Sequence, residues 1–148
     1  MFRQFLVFIH VAGAIVWVGG MFFAHFCLRP AALALAPPQR LPLWAATLGA
    51  FLRYTALAVA LLLASGFTLL FEAGFSRAPA GWHAMMGIGL VMSAIFAWVY
   101  GALYPRLRRQ VETGAWAEAG AALAAIRRLV TVNLALSLAA IAAVFFLR

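Results

Sequence analysis

The chain has no lysine, three acidic residues and a single cysteine among its 148 residues. Each scarcity excludes something. The lone Cys27 leaves no intrachain disulfide, and no Cys-x-x-Cys-His run is present to attach haem covalently. Glu72, Glu112 and Glu118 are too scattered to form an acid–base pair in the membrane. There is also no Ser–His–Asp arrangement and no phosphate loop, so hydrolysis has no visible machinery. Only 9% of the residues are charged and 68% are hydrophobic, with a mean hydropathy of +1.05. That is too little polar surface to keep a domain of this size dissolved in water, so its solvent is lipid.

What charge there is comes almost wholly from arginine, which supplies all eleven basic residues and a net charge of +8. These arginines stand at or beyond the ends of apolar runs rather than among exposed aromatics. The pattern sets topology and argues against nucleic acid as a partner.

Four apolar runs are long enough to span, at about 5–28, 50–71, 84–104 and 129–147. Phe5 to Leu28 closes at Arg29-Pro30, where proline favours a helix end. The second span has its core at Tyr54 to Phe71, with Leu43 to Leu52 as an interfacial lead-in. The third ends at Tyr104, before Pro105, and an Ala-rich helix over Gly114 to Arg128 feeds directly into the fourth. At ~1.5 Å rise per residue each run covers the ~30 Å hydrocarbon core, given some tilt. The expected fold is all-α: one domain over 1–148, an integral membrane four-helix bundle. Met1 to Ala14 has features of a cleavable signal peptide, but the apolar run continues to Leu28, which predicts retention.

Four spans put both termini and the Glu72–Trp82 loop on one side, with Arg3, Arg77 and Arg148. The other side holds Arg29, Arg40, Arg106, Arg108, Arg109, Arg127 and Arg128, with Arg53 at its boundary. The positive-inside bias places both termini on the outer (periplasmic) side of a bacterial-type inner membrane.

Intramembrane histidines are functional candidates because lipid burial is costly for them. His10 and His83 fall toward the outer side and His25 near the cytoplasmic end. His10 and His25 lie ~22 Å apart along one helix, too far to share a metal. On a helical wheel His10, Trp17, Met21 and His25 form one stripe that should face the bundle interior. The start of the third helix offers His83, Met85 and Met86 at the depth of His10. Arg3 and Arg77 lie just outside, where haem propionates would need cations. Simpler readings stand beside these: His10 as an interhelical hydrogen-bond donor, His25 and His83 as interfacial residues, the methionines and Trp17 as packing. Asn133 is expected to donate a hydrogen bond between helices.

His10 followed by Trp17-Val18-Gly19-Gly20 resembles the opening helix of the CopD (copper resistance D) family. Looser similarity extends through Arg53 and Ser65-Gly66 to Arg127-Arg128-Leu129-Val130 and Asn133-Leu134. More distantly, the chain is similar to HemJ-type protoporphyrinogen oxidases. These are small four-helix membrane proteins that bind b-type haem through the first-helix His and a Lys in a Trp-Leu-His-x-Lys stretch. Here that stretch reads Gly81-Trp82-His83-Ala84-Met85, with Met85 at the Lys position. The resemblance implies His10 as a haem ligand, with His83 or Met85 opposite it.

The leading expectation is thus a b-type haem protein with a redox role, a membrane oxidoreductase linked to a quinone or porphyrin. It would use His10, His83 or Met85, with Arg3 and Arg77 on the propionates and Trp17 flanking the haem. The alternative is copper transport, with an entry site of His10, His83, Met85 and Met86 and an exit site of Met21 and His25. The partners expected are membrane lipid, a quinone or redox protein and, for so small a bundle, a second copy in a homodimer.

Overall fold

The computed structural model describes residues 1–147, and these form four long helices with no strand among them. They are α1 (Phe2–Ala32), α2 (Pro37–Glu72), α3 (Ala80–Glu112) and α4 (Trp116–Phe146), each long and apolar enough to cross a membrane. Arg148, counted above with the sparse outer side, lies outside the described residues.

Two prolines expected to end helices are instead carried through them. Proline lacks an N–H and its ring collides with the carbonyl four residues earlier, so an unbroken α-helix resists it. In α1 the backbone widens into a π-turn at Ala24–Leu28, just before Pro30, and α3 does the same at Val99–Leu103, just before Pro105. The carbonyls at risk, those of Phe26 and Gly101, lie inside these π-turns, where the wider spacing moves them off the ring. Both helices then continue, α1 to Ala32 and α3 to Glu112.

The helices therefore run longer than the apolar spans. At ~1.5 Å per residue each exceeds ~45 Å, well beyond the ~30 Å hydrocarbon core. Helix α2 starts at Pro37 rather than near 50, with Pro37 and Pro38 in the first turn, where missing N–H groups cost nothing. Leu43 to Leu52 is thus part of the helix proper. The Ala-rich segment does join α4 without a break from Trp116 onward.

The surplus length builds a packed cap at the arginine-rich end. Leu41, Trp44, Leu48, Leu107, Leu123 and Ile126 are among its buried members. A second core lies deeper in the bundle, where Trp17, Met21, Val59, Met92 and Leu134 meet. Helix α1 packs chiefly on α2, and α3 on α4. Outward-facing Phe5, Phe8, Ile15, Leu57, Leu138 and Phe145 are exposed, an apolar exterior suited to acyl chains. Gly74 (φ 81°) turns the chain after α2 and Gly114 (φ 70°) between α3 and α4, in left-handed conformations that glycine adopts without strain.

Candidate functional site

Two cavities meet at His10. The inner one, about 730 Å³ with its open mouth, is bounded by all four helices, with Trp17, Met92, Ser93 and Ser137 in its wall. The second, about 500 Å³ with its open mouth, opens toward the arginine-poor end, with Arg3, Val7, Leu69 and Trp82 around it. His10, Gly66, Met85 and Met86 line both. One imidazole and two thioethers therefore stand where the two spaces adjoin.

A hydroxyl on α2 sets the ring of His10. Its Nδ1 lies 3.0 Å from Ser65 Oγ. The Ser65 hydroxyl has one hydrogen, and it donates that hydrogen to the Leu61 carbonyl at 2.6 Å. The hydroxyl oxygen is left as an acceptor, so the imidazole is the donor and carries its proton on Nδ1. Nε2 then keeps an unprotonated lone pair, the form needed to ligate a metal. Ser65 itself is buried, which makes this contact cheap to hold and costly to lose. Gly66, the next residue, has no side chain to hold His10 and Met86 away from α2.

The expected stripe on α1 does face inward. Trp17 is buried and meets Phe96 edge-on at a centroid distance of 6.0 Å, and Met21 is buried in the deeper core. His25 lies in the π-turn at the far end, where its Nδ1 is 3.3 Å from Thr131 Oγ1 of α4. Thr131 donates its hydrogen to the Arg127 carbonyl, so the same reasoning makes His25 an Nδ1 donor. Met21 and His25 are thus engaged separately, one in the core and one against α4.

The start of α3 divides its candidates. Met85 and Met86 reach both cavities, whereas His83 lies edge-on to Phe75 at 4.7 Å, outside either lining. Arg3 is exposed at the rim of the outer cavity. Arg77 is exposed in the 3₁₀ turn Phe75–Arg77, against Gly74. Asn133 donates its Nδ2 hydrogen to the Met92 carbonyl at 3.1 Å, the interhelical bond expected of it.

Among the described residues no three His, Cys, Asp or Glu side chains gather to hold a metal. The residues shared by the two cavities offer an imidazole, from His10, and two thioethers, from Met85 and Met86. That set is soft and uncharged, suited to Cu(I) rather than to a hard divalent ion. Ser93 and Ser137 carry no signal in the sequence, and Ser65-Gly66 stands there only as part of the family likeness, with no site role. A Ser-Gly pair inside an apolar run was the available signal, but not which helix it would face.

A family model described as "Copper resistance protein D" matches residues 45–147, more than half of the chain. No curated protein and no solved structure matches significantly. The matched stretch contains Ser65, Gly66, Met85, Met86 and Asn133, while His10 precedes it.

Proposed function

The chain belongs to the CopD family and is a copper-resistance-related, multi-pass membrane protein, and from that premise we propose that it carries Cu(I) through the membrane. His10, Met85 and Met86 bind the ion. The observation that carries this reading is that these three residues line both cavities, so an ion held there would have space on either side. Cu(I) enters the outer cavity, exchanges onto Nε2 and the thioethers, and leaves through the inner cavity past Ser93 and Ser137. Thioether and imidazole ligands are neutral, so binding is firm enough to strip hydration and weak enough to release. The arginine distribution supports an inner-membrane orientation with both termini outside and the outer cavity facing the periplasm.

Haem b is the second reading, favoured by Arg3. A guanidinium at the cavity rim does nothing for a copper cation but would pair with a propionate. His10 with Met85 would be the axial pair, Trp17 would flank the ring, and haem would supply one-electron chemistry toward a quinone or redox protein. Neither His83 nor Arg77 lines the two cavities, so this version rests on Met85 and Arg3.

One preparation separates the two. Detergent-purified protein, titrated with Cu(I) against a chromophoric chelator, should bind one ion and show no Soret band. His10→Ala and Met86→Ile should each lose that ion. A Soret band and a reduced α-band that vanish in His10→Ala would establish the haem reading instead.

A further inference from the structure

The arginine-rich end holds a second feature, independent of the copper reading. Arg29 of α1 and Arg40 of α2 stand close enough to Arg127 of α4 for their charges to act on it. Arg29 and Arg127, with His25, also line a narrow groove between α1, α2 and α4 whose remaining wall is apolar, including Leu48, Leu123 and Val130.

Among the described residues no carboxylate answers these three cations. The chain has no aspartate. Of its glutamates, Glu112 is taken by Arg108 at 2.8 Å, the one ion pair among the described residues. Glu72 ends α2 at the opposite end of the bundle, and Glu118 lies in the first turn of α4. Among the described residues the only polar engagement of Arg40 is a long donation to the Leu35 carbonyl at 3.5 Å. Clustered like charges at the edge of a low-dielectric slab repel strongly unless an anion joins them.

We propose that this cluster binds one anionic phospholipid, its phosphate held by Arg29, Arg127 and Arg40 and its acyl chains lying along the exposed apolar exterior of the bundle. The chemistry favours a lipid on both counts. Guanidinium forks match phosphate oxygens, and headgroup phosphates lie at the depth where these side chains end. A zwitterionic headgroup would bring its own cation to the cluster, and free phosphate lacks the acyl chains that hold a headgroup at this depth.

The test uses the full chain in detergent, titrated with cardiolipin, phosphatidylglycerol, phosphatidylcholine or inorganic phosphate and read by native mass spectrometry. One cardiolipin or phosphatidylglycerol should remain bound under conditions that strip phosphatidylcholine. Arg29→Gln, a change at an exposed position, should weaken retention about fivefold, and the Arg29→Gln/Arg127→Gln pair about thirtyfold. Arg106→Gln/Arg109→Gln, at the same end but outside the cluster, should change little. Should the double variant not fold, Arg29→Gln alone decides the matter. Equal retention of phosphatidylcholine, an unchanged affinity in Arg29→Gln, or saturation by inorganic phosphate would overturn the proposal.

Discussion

His10 and Met86 close on the same α-carbon. A β-carbon placed on Gly66 would come 3.1 Å from His10 Cε1 and 3.6 Å from Met86 Cε, so α1 and α3 deliver their donor side chains to one bare spot on α2. A β-carbon there would meet Met86 in ordinary contact but press the imidazole by a few tenths of an ångström, and a branched side chain would crowd both. The helix propensity lost by glycine, ~1 kcal/mol relative to alanine, is the cost of that approach.

If ions follow the proposed route past His10, filling this spot should block it. Gly66→Val is expected to abolish copper uptake by proteoliposomes while the helical circular dichroism stays intact. Gly87→Ala serves as control, because its added β-carbon would meet nothing within 4 Å. Normal uptake through Gly66→Val would mean that ions do not pass His10.

Loss of the Ser65 hydroxyl should free the ring of His10 without removing it. Partners of this kind orient a ligand and raise its basicity, and their removal typically weakens metal binding about 10- to 100-fold. Ser65→Ala is expected to fall in that range in a Cu(I) competition titration, with Ser65→Thr retaining most of the affinity. An unchanged dissociation constant in Ser65→Ala would show that the Nδ1 contact does not set the donor.

Asn133 tests the packing of α4 on α3. Its Nδ2 donates to the Met92 carbonyl, but its Oδ1 is buried with no partner among the described residues. Asn133→Leu therefore loses one hydrogen bond and relieves one unsatisfied oxygen. The net destabilisation should stay near ~0.6 kcal/mol, and below ~1.7, in reversible unfolding from detergent micelles. A loss of several kcal/mol would point to a partner for Oδ1 that packing alone does not supply.

Orientation is measurable with reporters. From the arginine distribution, an enzyme active only outside the cytoplasm should work when fused after the C-terminus and fail when fused in the turn around Thr113. The opposite pattern would turn the outer cavity, with Arg3 and Trp82, toward the cytoplasm.

Much of this architecture was legible in the residues. The four apolar runs required four spans, and the likeness read from His10 to Gly20 and from Arg127 to Leu134 was to the family the chain belongs to. The matched region begins at residue 45, so the first-helix motif that carried much of that likeness lies outside it. Helix ends were less legible. Pro30 and Pro105 read as terminators because a local rule sees only the missing N–H, whereas a π-turn one turn earlier removes the clash.

Periodicity alone determined that His10, Trp17, Met21 and His25 share a face of α1, since ~100° per residue leaves no other arrangement. Only the tertiary structure decided what that face meets. Depth along the membrane made His83, Met85 and Met86 look equivalent, because depth follows from residue count. Azimuth does not, since it depends on how α3 is rotated when it packs on α4. That rotation turns Met85 and Met86 to the cavities beside His10 and leaves His83 against Phe75. The partner of His10 is likewise a matter of packing: the chain brings a hydroxyl 55 positions away to 3.0 Å, a proximity that no local pattern encodes.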